Sequence, residues 1–197
     1  QNVSEGKLRF VPPYLAAKDL VRYCINQIQM TGDGMNRGFN NSLLGLDVQG
    51  ALETVNEKIG SPNDLVCVCV AMLRAAEIPA RVVVGITEDE ETNKNVFVCW
   101  GEFYLPDAGW VPFDPVAMRG KGVRTMDVKK PWPEFGTMKD LNRRIPLSYQ
   151  FIPAATVESP MNAAVWAWDP RPGRDFGSEQ VISVTITNRG KGEEGPQ

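Results

Sequence analysis

Apolar side chains recur at helical spacing along the first half of the chain. Between residues 14 and 30 they repeat at steps of three and four, which predicts an amphipathic helix that begins after Pro12 and Pro13. Residues 47–59 predict a second helix that ends at Gly60. We expect its apolar positions to share one buried face: Ala51, Leu52, Val55 and Ile59. The intervening "TGDGMNRGFNNSLLG" is rich in Gly and Asn and predicts a loop.

A third helical pattern has the clearest start signal. Ser61 is placed as the N-cap, Pro62 as the first helical residue and Asp64 as the acid of a capping box. The body of this helix, "LVCVCVAMLRAA", is apolar on almost every side, which predicts a central, buried helix. Pro79 ends it, and "ARVVVGIT" then predicts a strand covered on both faces, because its apolar run is continuous.

Strand patterns dominate the second half of the chain. The stretch "NVFVCWGEFYLPDAGWVPFDP", residues 95–115, predicts two strands joined by a turn at "PDAG", whereas residues 116–144 predict a long segment without regular structure. Short strand patterns follow in "IPLSYQFIP", "AAVWAWDP" and "EQVISVTITN". Helices followed by an antiparallel sheet indicate an α+β fold. We expect one domain over residues 1–197, with a core at about 14–115 and a C-terminal β-rich extension at about 145–188.

The charge and hydropathy of the chain argue against a nucleic-acid partner and against a membrane span. The formal net charge is −3, the isoelectric point is near 5.1, and the longest basic run is Lys129-Lys130. Nucleic acid is therefore not expected as a partner, because phosphate binding needs clustered basic residues. The longest apolar stretch, residues 65–73, is far shorter than the roughly 20 residues of a membrane span. The sequence begins at Gln1 rather than Met, as a processed chain or a fragment does, and export is one option for its compartment.

The chain contains no histidine, which excludes an imidazole base and a histidine metal ligand. Its four cysteines are expected to be free, buried and packed as small apolar residues: Cys24, Cys67, Cys69 and Cys99. The acidic stretch "TEDEET" lacks the ligand spacing of a calcium loop and is interpreted as a solvated hairpin tip. We expect neither a metal nor a cofactor.

Three motifs in order resemble a known family. "GSPND", "LRAAEIPARVVVG" and "CWGEFYLPDAGWVPFDP" are similar to the core of the transglutaminase-like superfamily over about residues 47–115. The framing residues are Arg74, the "IPAR" at 78–81, Trp100, the "GW" at 109–110 and the Asp114-Pro115 pair. The resemblance implies a papain-like fold in which a cysteine at a helix start works with a strand histidine and an aspartate. Such a thiolate transfers acyl groups through a thioester.

The family pattern places its catalytic positions on particular residues here. Members with the sequence Gly, any residue, Cys, any residue, Asp match Gly60 and Asp64, so the nucleophile position falls on Pro62. The base position falls on Val98, and the third member is retained as Asp114. The resemblance therefore predicts no catalytic residue in this chain.

Neighbouring side chains are poor replacements for the missing nucleophile. Cys99 adjoins the base position, but successive strand residues point to opposite faces. Cys67 lies five residues beyond Pro62, an offset of about 140° round the helix and roughly 7.5 Å along it. Shifting the alignment by one residue brings Ser61 to the position, but its hydroxyl would lack a base.

Several residues are candidates for binding rather than catalysis. Asp114 is either a binding carboxylate or the cap of a turn. Trp100 is a binding candidate, and Glu102, on the same strand face, is either a ligand contact or solvated. Trp166 and Trp168 share one face of a predicted strand, where they form either a stacking platform or part of the core.

Three functions remain open. The first is an inactive transglutaminase-like domain that binds a polypeptide or serves as a structural module. The second is an active cysteine hydrolase or acyltransferase with an atypical nucleophile. The third is a subunit of a larger assembly in which the groove has no role.

Overall fold

A computed structural model of the chain describes residues 10–37, 43–88, 95–136, 141, 144–149, 152–153 and 163–164. The helices are α1 (Pro13–Gln27), α2 (Ala51–Glu57), α3 (Pro62–Ala75) and α4 (Pro115–Gly120), followed by a 3-10 turn at Val123–Thr125. The strands are β1 (Gln29–Met30), β2 (Met35–Arg37), β3 (Leu43–Leu46), β4 (Ile59–Gly60), β5 (Ala80–Glu88), β6 (Asn95–Leu105), β7 (Gly109–Phe113), β8 (Ile145–Ser148), β9 (Ile152–Pro153) and β10 (Ala163–Ala164).

A four-stranded antiparallel sheet in the order β7-β6-β5-β8 forms one layer of the fold. Helix α3 packs against β5 and β6, and α1 and α2 pack against α3. The predicted α+β arrangement, with a buried helix on an antiparallel sheet, is confirmed. The predicted bounds of α1, α3, β5, β6 and β7 agree with those observed to within a few residues.

Both faces of the sheet are covered at β5, as its continuous apolar run predicted. Val82 and Val84 lie in the core beneath α3, whereas Val83 points to the opposite face and is also fully buried. Val83 pairs with Trp100 of β6, whose ring lies over Gly85. A Cβ at Gly85 would stand 2.7 Å from that ring, so only glycine admits the tryptophan there.

The segment after β7 is more regular than predicted. Residues 116–144 were expected to lack regular structure, and this expectation was wrong for α4 and for the 3-10 turn. The cause is local: Asp114 is the N-cap of α4 and Pro115 its first residue, which is the same start signal that marks α3. We name residues 119–130 the strap, because they run from α4 along helix α1.

The predicted loop between the first two helices contains a hairpin. Strands β2 and β3 pair antiparallel, with Met35 opposite Leu46. In addition, β1 and β4 pair in parallel, with Gln29 opposite Ile59. The loop prediction was wrong at β2 and β3, because glycine and asparagine content does not report pairing between distant segments. Strands β1 and β4 replace the last residues that were predicted for the first helix and the second helix, respectively.

The buried face of α2 was also predicted wrongly. Leu52 is 79% exposed and Val55 is 45% exposed, whereas Thr54 is fully buried. Thr54 Oγ1 donates to the carbonyl of Gly50 at 2.7 Å and accepts from Gln49 Nε2 at 3.1 Å. In a helix of seven residues these polar contacts determine which face of the helix is buried, and they outweigh the apolar pattern.

The cysteines follow the prediction. All four are free, three of them are buried, and Cys67 is partly buried. Among the described residues, no helix has the length and apolarity to cross a membrane. The strand patterns predicted beyond Ala164 lie outside the described residues.

Candidate functional site

The first turn of α3 is fixed by a reciprocal capping box, as predicted. Ser61 Oγ accepts from the backbone N–H of Asp64 at 3.2 Å, and Asp64 Oδ2 accepts from the N–H of Ser61 at 2.9 Å. Asp64 Oδ1 accepts in addition from the N–H groups of Gln49 and Gly50, each at 2.9 Å. Both oxygens of this buried carboxylate are therefore bound by backbone donors, and the carboxylate ties α3 to the start of α2.

The residues before β2 pack directly on the same helix start. Asn63 Nδ2 donates to the carbonyl of Gly34 at 2.6 Å and to that of Asp47 at 3.2 Å. A Cβ at Gly34 would lie 3.5 Å from Cδ of Pro62, so the backbone passes over the proline ring. Pro62 is half-buried, and its ring stands at the first position of the helix.

Side chains alternate between the two faces of β6. Cys99 and Phe103 belong to the core beneath α3. Val98, Trp100 and Glu102 therefore point to the opposite face, as alternation along a strand requires. Trp100 is only 4% exposed, which leaves little of its ring for a ligand to stack on.

Asp114 connects β7 to α4 and carries three hydrogen bonds. Its Oδ1 accepts from the N–H groups of Val116 at 2.9 Å and Ala117 at 3.0 Å. Its Oδ2 accepts from Nη1 of Arg144 at 2.6 Å. The two side chains are 8% and 12% exposed, so this is a buried, charge-assisted pair.

Arg144 has two further neighbours. Its guanidinium carbon lies 5.8 Å from the centre of the Trp100 ring, and its Nη2 lies 3.8 Å from Oε2 of the buried Glu134. Glu134 also pairs with Lys121 at the start of the strap. Asp114, Arg144 and Glu134 thus form a chain of charges, and Arg144 lies beside Trp100.

Three of the four thiols have raised pKa values. Burial, assisted by the charge of Asp64, raises the pKa of Cys67 to about 12. Burial raises the pKa of Cys69 well above its usual range, with a further contribution from a hydrogen bond to Cys24. Burial likewise raises the pKa of Cys99. These three sulfurs are protonated at neutral pH, and a protonated thiol is a weak nucleophile.

A sequence profile described as the transglutaminase-like superfamily matches residues 10–115, which is more than half of the chain. The chain belongs to the transglutaminase-like superfamily. The match includes every element from α1 to β7 and confirms the resemblance carried by the motifs at 47–115.

Individual proteins similar to the chain add little to this assignment. No curated protein sequence matches the chain. A solved structure similar to it is a proposed cysteine protease from Cytophaga hutchinsonii, with 19% identity and a TM-score of 0.39. The alignment covers 68% of this chain and 40% of that one, so the chain spans less than half of its length.

Of the remaining predicted binding residues of this transglutaminase-like domain, the structure describes Glu102. Glu102 forms an ion pair with Arg81 on the neighbouring strand, at 2.7 Å. Trp166 and Trp168 lie outside the described residues, so their predicted platform stays a prediction. Within the described part of the chain, no group of three acidic, cysteine or histidine side chains is placed to hold a metal ion.

Sequence reasoning missed two arginines in this region. Arg144 follows Asp114 by 30 residues, and no local spacing signals their contact. Arg81, the last residue of the "IPAR" motif, is stacked between the rings of Trp110 and Tyr149, at 3.9 Å and 4.0 Å from their centres. Its place in a family motif was visible, but its aromatic partners come from distant parts of the chain.

Proposed function

We propose that this transglutaminase-like domain is catalytically inactive and acts as a protein-binding or structural module, without a metal or cofactor. The observation that carries the proposal is the engagement of Asp114. The one retained member of the family's catalytic set caps α4 and pairs with Arg144 instead of facing an imidazole.

The chemistry of acyl transfer gives the first support. The reaction needs a thiolate and a proton carrier within hydrogen-bond reach. The family's nucleophile position holds the ring of Pro62, its base position holds Val98, and the chain contains no histidine. Loss of such members typically lowers the rate by several orders of magnitude.

The second support comes from the helix start. A thiolate at this position would depend on N–H groups and on the positive end of the α3 dipole. Here the N–H of Asp64 is bonded to Ser61, and the negative charge of Asp64 is fixed within the same turn. Family members with the Cys pattern carry the same acid, so the difference in this chain is Pro62, which gives the first position of the helix neither a sulfur nor an N–H group.

An active enzyme with an atypical nucleophile is the alternative. Cys67 is the best candidate for that role, because it alone among the four cysteines is not fully buried. Its pKa of about 12 and the nearby charge of Asp64 both oppose the thiolate. We therefore favour the inactive module, with a polypeptide as the partner.

Thiol reactivity separates the two functions. The folded protein is treated with iodoacetamide from pH 6 to 10, and labelling is read by mass spectrometry. We expect no stoichiometric labelling near neutral pH and the same result for Cys67→Ala. A second assay measures incorporation of a fluorescent amine into a glutamine-containing peptide. Rapid labelling of one thiol at pH 6 to 7, with turnover that Cys67→Ala abolishes, would overturn the proposal.

A further inference from the structure

The strap has a charge opposite to that of the rest of the chain. Residues 119–130 hold five basic residues and one acidic residue, out of 21 and 24 in the whole sequence. The strap therefore carries +4, whereas the remaining residues, with 16 basic and 23 acidic, carry −7. A local field of one sign on a molecule of the other sign attracts a partner of matching charge.

Helix α1 holds the backbone of the strap in place. The Nζ of Lys18 donates to the carbonyls of Val128 at 3.1 Å and Lys130 at 2.8 Å. The Nη1 of Arg22 donates to the carbonyl of Met126 at 3.0 Å. These donors bind the main chain and fix its path. Val123 of the strap is buried and Arg119 donates to the carbonyl of Ile28 at 2.8 Å, whereas the charged side chains further along the strap remain exposed.

We call Lys18 and Arg22 the clamp, because they hold the strap against α1. Aromatic rings surround it. Lys18 is 2% exposed, and its Nζ lies 4.9 Å from the ring centre of Tyr14 and 5.1 Å from that of Trp132. The indole N–H of Trp132 donates to the carbonyl of Asp127 at 2.9 Å. A surface held by buried contacts loses little conformational entropy when it binds a partner.

Three basic side chains on the strap are available for binding. Arg124, Lys129 and Lys130 are exposed, and none of them forms an ion pair with a residue that the structure describes. They occur within seven consecutive residues, a length that spans at most about 25 Å when extended. Lys121 differs from them, because it pairs with Glu134.

We propose that the strap is a docking surface for a short acidic polypeptide segment, rich in Asp or Glu, that contacts Arg124, Lys129 and Lys130. Because the strap turns at Val123–Thr125 and is not fully extended, a segment of about seven residues or fewer is long enough to reach all three charges. A long polyanion such as a nucleic acid or a sulfated polysaccharide would extend past them, over a molecule whose remainder carries −7. This inference names a partner for the proposed binding role, but it does not depend on the loss of catalysis.

The test is a titration of the intact chain into a fluorescent peptide of eight glutamates, followed by anisotropy at 50 and 150 mM salt. We expect binding that weakens with salt, because the contacts are exposed charge pairs. The triple variant Arg124→Glu, Lys129→Glu, Lys130→Glu should raise the Kd by about tenfold or more, as charge reversal at a complementary surface does. The milder Lys129→Gln, Lys130→Gln variant should raise it less.

A matched control comes from Lys58→Glu, which reverses an exposed lysine at the end of α2. It should leave the Kd within about twofold of the unaltered chain, since its charge is not part of the strap. Circular dichroism confirms that each variant is folded. The inference would be overturned if the Lys58 variant and the strap variants lost equal affinity, or if the peptide did not bind at 50 mM salt. Tighter binding of heparin or of single-stranded DNA of equal charge would also overturn it. Thiol labelling tests the loss of catalysis separately, so the proposed docking surface and the proposed inactivity can fail independently.

Discussion

The Asp114–Arg144 pair makes the sharpest prediction about this domain. In the variant Asp114→Asn, the amide oxygen still accepts the N–H groups of Val116 and Ala117, so the cap of α4 survives. The amide nitrogen, however, would face the guanidinium of Arg144, donor against donor, where Oδ2 now accepts at 2.6 Å. The substitution therefore removes one charge and leaves the other buried without its partner.

The magnitude follows from the burial of both groups. Removing one partner of a buried ion pair typically lowers the free energy of unfolding by about 3–5 kcal/mol. Glu134 Oε2, 3.8 Å from Nη2 of Arg144, offers that cation a second acceptor. We therefore expect Asp114→Asn to lower the free energy of unfolding by about 2–4 kcal/mol. Asp114→Ala should cost about 1 kcal/mol more, because it also removes the helix cap.

Urea denaturation followed by tryptophan fluorescence measures these values. A double-mutant cycle with Arg144→Leu isolates the pair: the double variant should be more stable than the sum of the single losses predicts, by about 1–3 kcal/mol. A loss below about 0.5 kcal/mol for Asp114→Asn, together with a coupling energy near zero, would refute the reasoning. Asp114 would then be a carboxylate available to a ligand, as one of the interpretations of the sequence has it.

Two other predictions concern the clamp and the thiols. Lys18→Met should lower the free energy of unfolding by about 2–3 kcal/mol, because it leaves two carbonyls of the strap without their donor and removes the cation from its aromatic rings. The control is Lys58→Met, at an exposed lysine. Equal urea midpoints for the two variants would contradict a stabilising role for Lys18. The pKa of Cys67 is raised to about 12 from an ordinary value of 9.0, so the folded state favours the neutral thiol. The stability that this preference gives the folded protein is complete below pH 9 and is lost as the pH rises toward 12. Urea midpoints measured at pH 8 and pH 10 should therefore fall less steeply for Cys67→Ala than for the unaltered chain, and identical slopes would argue against the shift.

The elements with strong local signals were predictable from the sequence. Helix α3 combines a capping box, a proline at its first position and an apolar body, and each signal points to the same start. The rotation of α2 was not predictable from its apolar pattern. Its orientation depends on Asp64, which binds the N–H groups of Gln49 and Gly50 from another helix. A short helix buries little apolar area, so a few polar contacts outweigh the preference of Leu52 and Val55 for the core.

In the candidate site, too, the residues with local signals were predictable and the contacts between distant residues were not. The family motifs locate Pro62, Val98 and Asp114, because each lies inside a short, recognisable frame. They do not reveal what becomes of a retained carboxylate when no histidine faces it. A buried, unpaired charge costs several kcal/mol, so keeping Asp114 in this place requires another cation or a protonated acid. The chain supplies Arg144, which lies beyond the 10–115 region that matches the family. Its contact with Asp114 turns the retained residue of a catalytic set into a link between β7, α4 and the start of β8.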